Sequence, residues 1–250
     1  MIADPLFYLA ALFAVVLTGV SKAGFGSATG GMAVPLMALT IAPPQAAAIM
    51  LPILLTMDAI GLVVFRGLFD RANLRIILPG ALLGILLGAL TFGLVNVRWI
   101  RGIIGLESIL FALDRFRRAR TVLVPQPPSP PKGWFWSTVS GFTSFVSHAG
   151  GPPIMQFLLP QGMDKLRLVG TTTVYFAVVN FVKLAPYGAL GLLDLRNLAT
   201  SAMLLPIVPI GYWIGLRLLH GLDQRTFTRA LTWLLLLTGC KLLWDGIFGS

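Results

Sequence analysis

Residues 24–31 read Gly-Phe-Gly-Ser-Ala-Thr-Gly-Gly, and residues 147–153 read Ser-His-Ala-Gly-Gly-Pro-Pro. Each opens an apolar run too short to cross a bilayer alone. Segment 30–42 makes about 20 Å of helix, and 151–161 makes less, against a hydrocarbon core of about 30 Å. Irregular backbone at membrane depth persists only where protein buries it or where it lines a cavity. These two breaks therefore decide how the rest of the chain is read.

Outward from them the chain is apolar almost throughout. Of 250 residues, 56% are hydrophobic and only 11% charged, with a mean hydropathy of +0.86. A soluble domain is nearer a quarter charged, and a disordered chain needs low hydrophobicity and much charge, so both classes are excluded. The net charge of +10 reads as Lys and Arg gathered in cytoplasmic loops rather than as a nucleic-acid surface. The one cysteine, Cys240, has no partner for an internal disulfide, and no metal-ligand spacing occurs. The start of the chain lacks a basic region before its apolar run, so it reads as a membrane segment rather than a cleaved signal.

Apolar segments fall at 5–21, 30–42, 45–65, 76–96 and 100–113, then at 134–147, 151–161, 168–190, 198–220 and 227–247. Between the two sets, 114–132 carries Arg115, Arg117, Arg118, Arg120 and Lys132 and the proline run of 124–131, and reads as an extended linker. The expected organisation is a first membrane repeat over 1–114, a basic, proline-rich cytoplasmic linker over 115–133, and a second repeat over 134–250. The halves share ordered matches. Ser27-Ala28-Thr29-Gly30-Gly31 pairs with Ser147-His148-Ala149-Gly150-Gly151. Gly67-Leu68-Phe69-Asp70 with Asn73-Leu74 pairs with Gly191-Leu192-Leu193-Asp194 with Asn197-Leu198. Leu78-Pro79 with Gly84 and Gly88 pairs with Leu205-Pro206 with Gly211 and Gly215. The chain reads as an internal duplication.

Anchoring the linker in the cytoplasm, and folding the first two segments of each half into a hairpin, places most of the 19 basic residues inside. A single crossing per hairpin region places fewer there, so the positive-inside rule favours the hairpin. The expected fold is thus an all-α polytopic membrane protein of two inverted-topology repeats. Each repeat has a broken, re-entrant helical hairpin plus about three spanning helices, and both termini lie outside. Inverted repeats are a common plan of secondary transporters, with substrate held near the midplane.

The chemistry is sought at the breaks. Free backbone N–H groups and the positive dipole end of a short helix suit an anion, which singles out Gly26, Ser27, Gly30 and Gly31 in the first break and Ser147, His148, Gly150 and Gly151 in the second. Lys22 and His148 add cationic capacity. Asp58 sits inside an apolar span, and buried acids there act either as proton carriers or as ion-pair partners; for Asp58 the partner is Lys22 or Lys183, and the two readings stand equal. Asn180, opposite Asp58 in the repeat, supplies a neutral polar contact, with Lys183 one turn away. The glycine pairs Gly84/Gly88 and Gly211/Gly215 suit close helix packing, either internally or across a homodimer.

The breaks at 24–37 and 141–153 resemble those of the TauE/SafE, or sulfite exporter, family, and the resemblance extends over about residues 8 to 246. It implies a multi-pass transporter of the bacterial inner membrane without a cofactor, moving sulfite, an organosulfonate or a related sulfur anion. The resulting expectation is a carrier of a small sulfur-containing anion, coupled to protons and working by alternating access, with membrane lipid as its surroundings. Two rivals remain open: an intramembrane serine hydrolase using Ser27 or Ser147 with His148, and a passive anion channel.

Overall fold

The computed structural model describes residues 2, 5–27, 33–38, 40–92, 94, 97–118 and 125–248. The described residues form helices and no strands. In chain order the first half contributes α1 (Pro5–Phe25), α2 (Ala33–Met37), α3 (Pro43–Val64), α4 (Arg71–Leu90) and α5 (Val97–Arg118). The second contributes α6 (Pro130–Ser147), α7 (Gly151–Leu158), α8 (Lys165–Ala189), α9 (Leu195–Leu204), α10 (Val208–Gly221) and α11 (Gln224–Phe248). The chain is an all-α polytopic membrane protein.

Helix boundaries follow from local chemistry. Prolines occupy the first turns of α3, α6 and α7, where a missing N–H is no loss and the fixed φ suits the helix. Asp70 accepts from the N–H of Asn73 at 2.9 Å, and Asp194 accepts from Asn197 at 2.7 Å. These side chains cap α4 and α9 identically, one in each half. The cap moves the start of α4 back to Arg71 from the expected 76. A 3-10 turn over Leu205–Ile207, built on Pro206, joins α9 to α10, because proline cannot continue the ladder of bonds. Lys165 closes the far end of α10 by donating to the carbonyls of Leu219 (2.7 Å) and Leu222.

The extended linker is shorter than expected. Helix α5 continues through Arg118, since arginine is a good helix former, and α6 begins at Pro130, since prolines are at home in a first turn. Residues 119–124 lie outside the described residues. Beyond them the N–H of Gln126 donates to the carbonyl of Pro160 at 3.2 Å, holding the second part of the linker against the end of the α7 segment.

Among the described residues, six helices are long and apolar enough to cross a membrane: Pro5–Phe25, Pro43–Val64, Arg71–Leu90, Lys165–Ala189, Leu195–Gly221 and Arg225–Phe248. Helix α1 thus has crossing length by itself, where the sequence suggested one arm of a hairpin. Helix α6 does not reach that hydropathy, because Ser137, Thr138, Ser140, Thr143, Ser144 and Ser147 crowd one short helix. Leu9, Phe13, Leu86, Leu90, Trp213 and Leu237 are exposed; such a belt would drive aggregation in water but is ordinary against acyl chains.

The halves are interlocked by pairs of helices that meet through glycines. On α4, a Cβ added at Gly84 would lie 2.1 Å from the Thr138 carbonyl oxygen of α6. On α10, one added at Gly211 would lie 2.6 Å from the Val16 carbonyl oxygen of α1. Helices α5 and α11 meet in the same way at Gly105 and Gly239. The expected Gly84/Gly88 and Gly211/Gly215 pairs are therefore used inside the chain. Two amide contacts repeat the exchange. Asn73 and Gln161 bond reciprocally at 2.9 and 3.0 Å, and Gln45 donates to Asn197 at 3.1 Å. In each case the asparagine of one half's capping motif reaches a glutamine of the other half.

Candidate functional site

Both breaks are built from the same helix ending. At the end of α1, Gly26 adopts φ 59° and the N–H of Ser27 reaches back to the Ser21 carbonyl at 3.1 Å. At the end of α6, His148 adopts φ 54° and the N–H of Ala149 reaches back to the Thr143 carbonyl at 3.2 Å. In both, the N–H after a left-handed residue returns to the carbonyl six positions back, one position wider than a Schellman ending; in the first break Ser27 is left-handed as well, at φ 65°. The shared return bond aligns Gly26 with His148 and Ser27 with Ala149. The sequence matched Ser27 to Ser147 instead. The structural register also places Lys22 opposite Ser144, and it agrees with the separation of 122 between Asp58 and Asn180.

Left-handed backbone is natural for Gly26 but strained by roughly 1 kcal/mol or more in a residue with a Cβ. His148 is held there from two sides. Its Nε2 lies 2.9 Å from the Ala47 carbonyl oxygen, and its Nδ1 lies 2.8 Å from Lys183 Nζ. The Ala47 carbonyl can only accept, so Nε2 carries a proton; with Lys183 as an ammonium donating to Nδ1, the ring is neutral. Lys183 is itself fully buried and also donates to the carbonyl (3.0 Å) and hydroxyl (3.1 Å) oxygens of Ser144. The second break is tied further by Ser140, whose hydroxyl donates to Gly150 O at 2.6 Å, and by Thr143, whose hydroxyl donates to Ala149 O at 3.1 Å.

Beside this cluster stands a buried ion pair. Lys22 Nζ lies 2.6 Å from Asp58 Oδ1, with both side chains 3% exposed. Asn180 Nδ2 donates to the other carboxylate oxygen at 2.7 Å, and the ammonium sits 5.4 Å from the centre of the Phe176 ring. Two expected roles for Asp58 were equal on sequence; the geometry supplies the Lys22 ion pair directly. Removing both charges from water is expensive, and such a pair is retained only where geometry and further hydrogen bonds compensate it.

A small cavity joins the two clusters. It is lined by Thr18, Ser21 and Lys22 of α1 with Ser27, by Leu54 of α3, by Ser144 and His148 at the end of α6, by Gly151 at the start of α7, and by Phe176 and Asn180 of α8. Its volume is about 20 Å³, room for a water-sized particle. On its other side Asp58 borders an apolar groove of about 330 Å³ between α3 and α8.

Of the residues singled out from sequence, Lys22, Ser27, His148, Gly151 and Asn180 line this cavity, and Asp58 is bonded to two of them. Gly26 faces Thr172 and Met155, where a Cβ would lie within 2.9 Å of both. Gly150 packs on Ser140. Ser147 turns back to the Thr143 carbonyl at 3.4 Å and does not line the cavity. Gly30 and Gly31 lie outside the described residues. Ser144, Thr18, Ser21 and the bonded role of Lys183 were missed; the 122-residue register would have pointed to Ser144. Neither ring nitrogen of His148 is on a serine hydroxyl, so the hydrolase pairing has no hydrogen bond to act through.

Helix α2 is five residues long, and residues 28–32 before it lie outside the described residues. In α7, Pro152 and Pro153 remove two of the first N–H groups. Among the described residues, the polar ones lining the cavity are Thr18, Ser21, Lys22, Ser27, Ser144, His148 and Asn180. Among the described residues no cluster of His, Cys, Asp or Glu fits a metal.

A protein-family model for "Sulfite exporter TauE/SafE" matches residues 11–242. No curated protein and no solved structure matches the chain.

Proposed function

The chain belongs to the sulfite exporter TauE/SafE family, and from that membership we propose that it is a proton-coupled carrier whose anion site is the cavity between the two helix breaks. The family makes it a membrane exporter of sulfite or a related sulfur anion. The finer reading rests on one observation: Lys22, at the cavity wall, is bonded to Asp58. An oxyanion entering the cavity competes with Asp58 for the same ammonium. A buried carboxylate that loses its cation binds a proton, since a lone charge in the bilayer interior is costly. Anion and proton are thereby tied to one another at Lys22.

Serine and threonine hydroxyls and the Asn180 amide complete the donors, and charge-assisted bonds from several directions suit the delocalised charge of sulfite or a sulfonate. The cavity is smaller than such an anion, so binding requires the breaks to part. Because α1 pairs with α10 and α4 with α6 across the halves, alternating access moves such mixed bundles, each holding helices of both repeats, against one another. An inverted arrangement in a bacterial inner membrane, with the linker cytoplasmic and the termini periplasmic, completes the reading.

The test is flux in proteoliposomes. Sulfite accumulating against its own gradient when a pH gradient is imposed supports the carrier. Simple equilibration, indifferent to pH gradient, would make the protein a channel.

A further inference from the structure

With both buried lysines as ammonium groups, the polar core does not balance its charge. Among the described residues the cluster holds two ammonium groups, Lys22 and Lys183, and one carboxylate, Asp58. His148 contributes nothing, because its hydrogen bonds require the neutral ring. Lys183 has three acceptors around Nζ, Ser144 O, Ser144 Oγ and His148 Nδ1, which match the three N–H bonds of an ammonium. No carboxylate contacts it among the described residues. An unbalanced charge at membrane depth is expensive, so this imbalance is a demand for an anion.

We propose that Lys183 is held as an ammonium and that the site accepts one net negative charge per cycle, either as a singly charged oxyanion with Asp58 ionised or as a doubly charged one with a proton on Asp58. Both loaded states leave the core neutral, and a sulfonate and a sulfite dianion with its proton become equivalent cargoes. The inference rests on the transport reading above and narrows its substrate by charge. Lys183 acts as a positioning residue and a source of field: it reaches the cavity through His148 and Ser144. The groups facing Asp58 are Lys22 from α1, Asn180 and Lys183 from α8, and the Tyr212 phenol from α10. Among the described residues, these are the charged and titratable groups that act on Asp58.

Calorimetric titration of the purified protein, in two buffers of different ionisation enthalpy, tests this with methanesulfonate and sulfate as probes. Methanesulfonate should bind with the same heat in both buffers. Sulfate should bind with a heat difference equal to uptake of one proton. Asp58→Asn should bind sulfate without that proton, and Lys183→Gln should bind methanesulfonate at least tenfold more weakly, while Lys183→Arg retains it. Sulfate bound by the wild type without proton uptake, or methanesulfonate bound with it, overturns the charge rule and leaves the anion site standing. A wild type that binds neither probe nor sulfite overturns both readings together. The wild-type titrations decide the matter even if a variant does not fold.

Discussion

Gly26 and His148 occupy the same left-handed position of the same helix ending, one in each half. Only one of them is a residue that prefers that backbone. His148 persists because its ring bridges Lys183 and the Ala47 carbonyl. Strain retained at a buried polar cluster marks a residue kept for its side chain rather than for its fold.

His148→Gly should therefore separate stability from activity. The backbone relaxes by roughly 1 kcal/mol, offsetting part of the lost ring packing, and the protein folds. Transport of sulfite falls at least tenfold, because Lys183 loses its link to the cavity. Melting temperature and proteoliposome flux, measured on the same preparation, check both halves of the expectation.

Breaking the Lys22–Asp58 pair from either side should cost about 3–5 kcal/mol, because each single change strands a buried charge. Lys22→Met with Asp58→Leu should recover most of that loss. None of the three variants should carry anion. Denaturation in mild detergent reads the non-additivity; a double variant no more stable than the singles would contradict the pairing.

Helix α4 should tolerate no side chain at Gly84. A Cβ there lies 2.1 Å from the Thr138 carbonyl oxygen and 2.7 Å from the Phe142 nitrogen, so Gly84→Val should destabilise by about 1–3 kcal/mol through forced backbone shifts. Gly188, also helical, meets nothing within 4 Å. Gly188→Ala should leave the melting temperature unchanged or raise it slightly.

The amide pair Asn73–Gln161 joins the halves at 2.9 and 3.0 Å. A double-mutant cycle with alanine at each position should show coupling of about 1 kcal/mol. The same cycle on Gln45 and Asn197, joined by one bond, should show less.

Much of this was legible in the sequence. The duplicated Gly-Leu-x-Asp-x-x-Asn-Leu motif marked Asp70 and Asp194 as equivalent positions, which the structure makes helix caps, and the glycine rows pointed to close helix packing. Composition gave the membrane. The site was legible in part: Lys22, Ser27, His148, Gly151 and Asn180 meet at one cavity. The local register at the breaks was not, because matching Ser27 to Ser147 maximises identity whereas the backbone matches Gly26 to His148. That slip hid Ser144 opposite Lys22. The extent of α5 and α6 into the linker was masked by prolines that break a helix interior but begin a helix well. Backbone donors at the second break exclude Pro152 and Pro153, which have no N–H to give, and those at Gly30 and Gly31 lie outside the described residues.

The central claim is that an anion and Asp58 share Lys22. Thermal unfolding of the purified protein with sulfite, in the wild type and in Lys22→Gln, tests it most directly. Sulfite at a hundred times its Kd should stabilise the wild type by about 2.7 kcal/mol and leave Lys22→Gln unmoved. Equal stabilisation of both proteins would place the anion elsewhere and contradict the account.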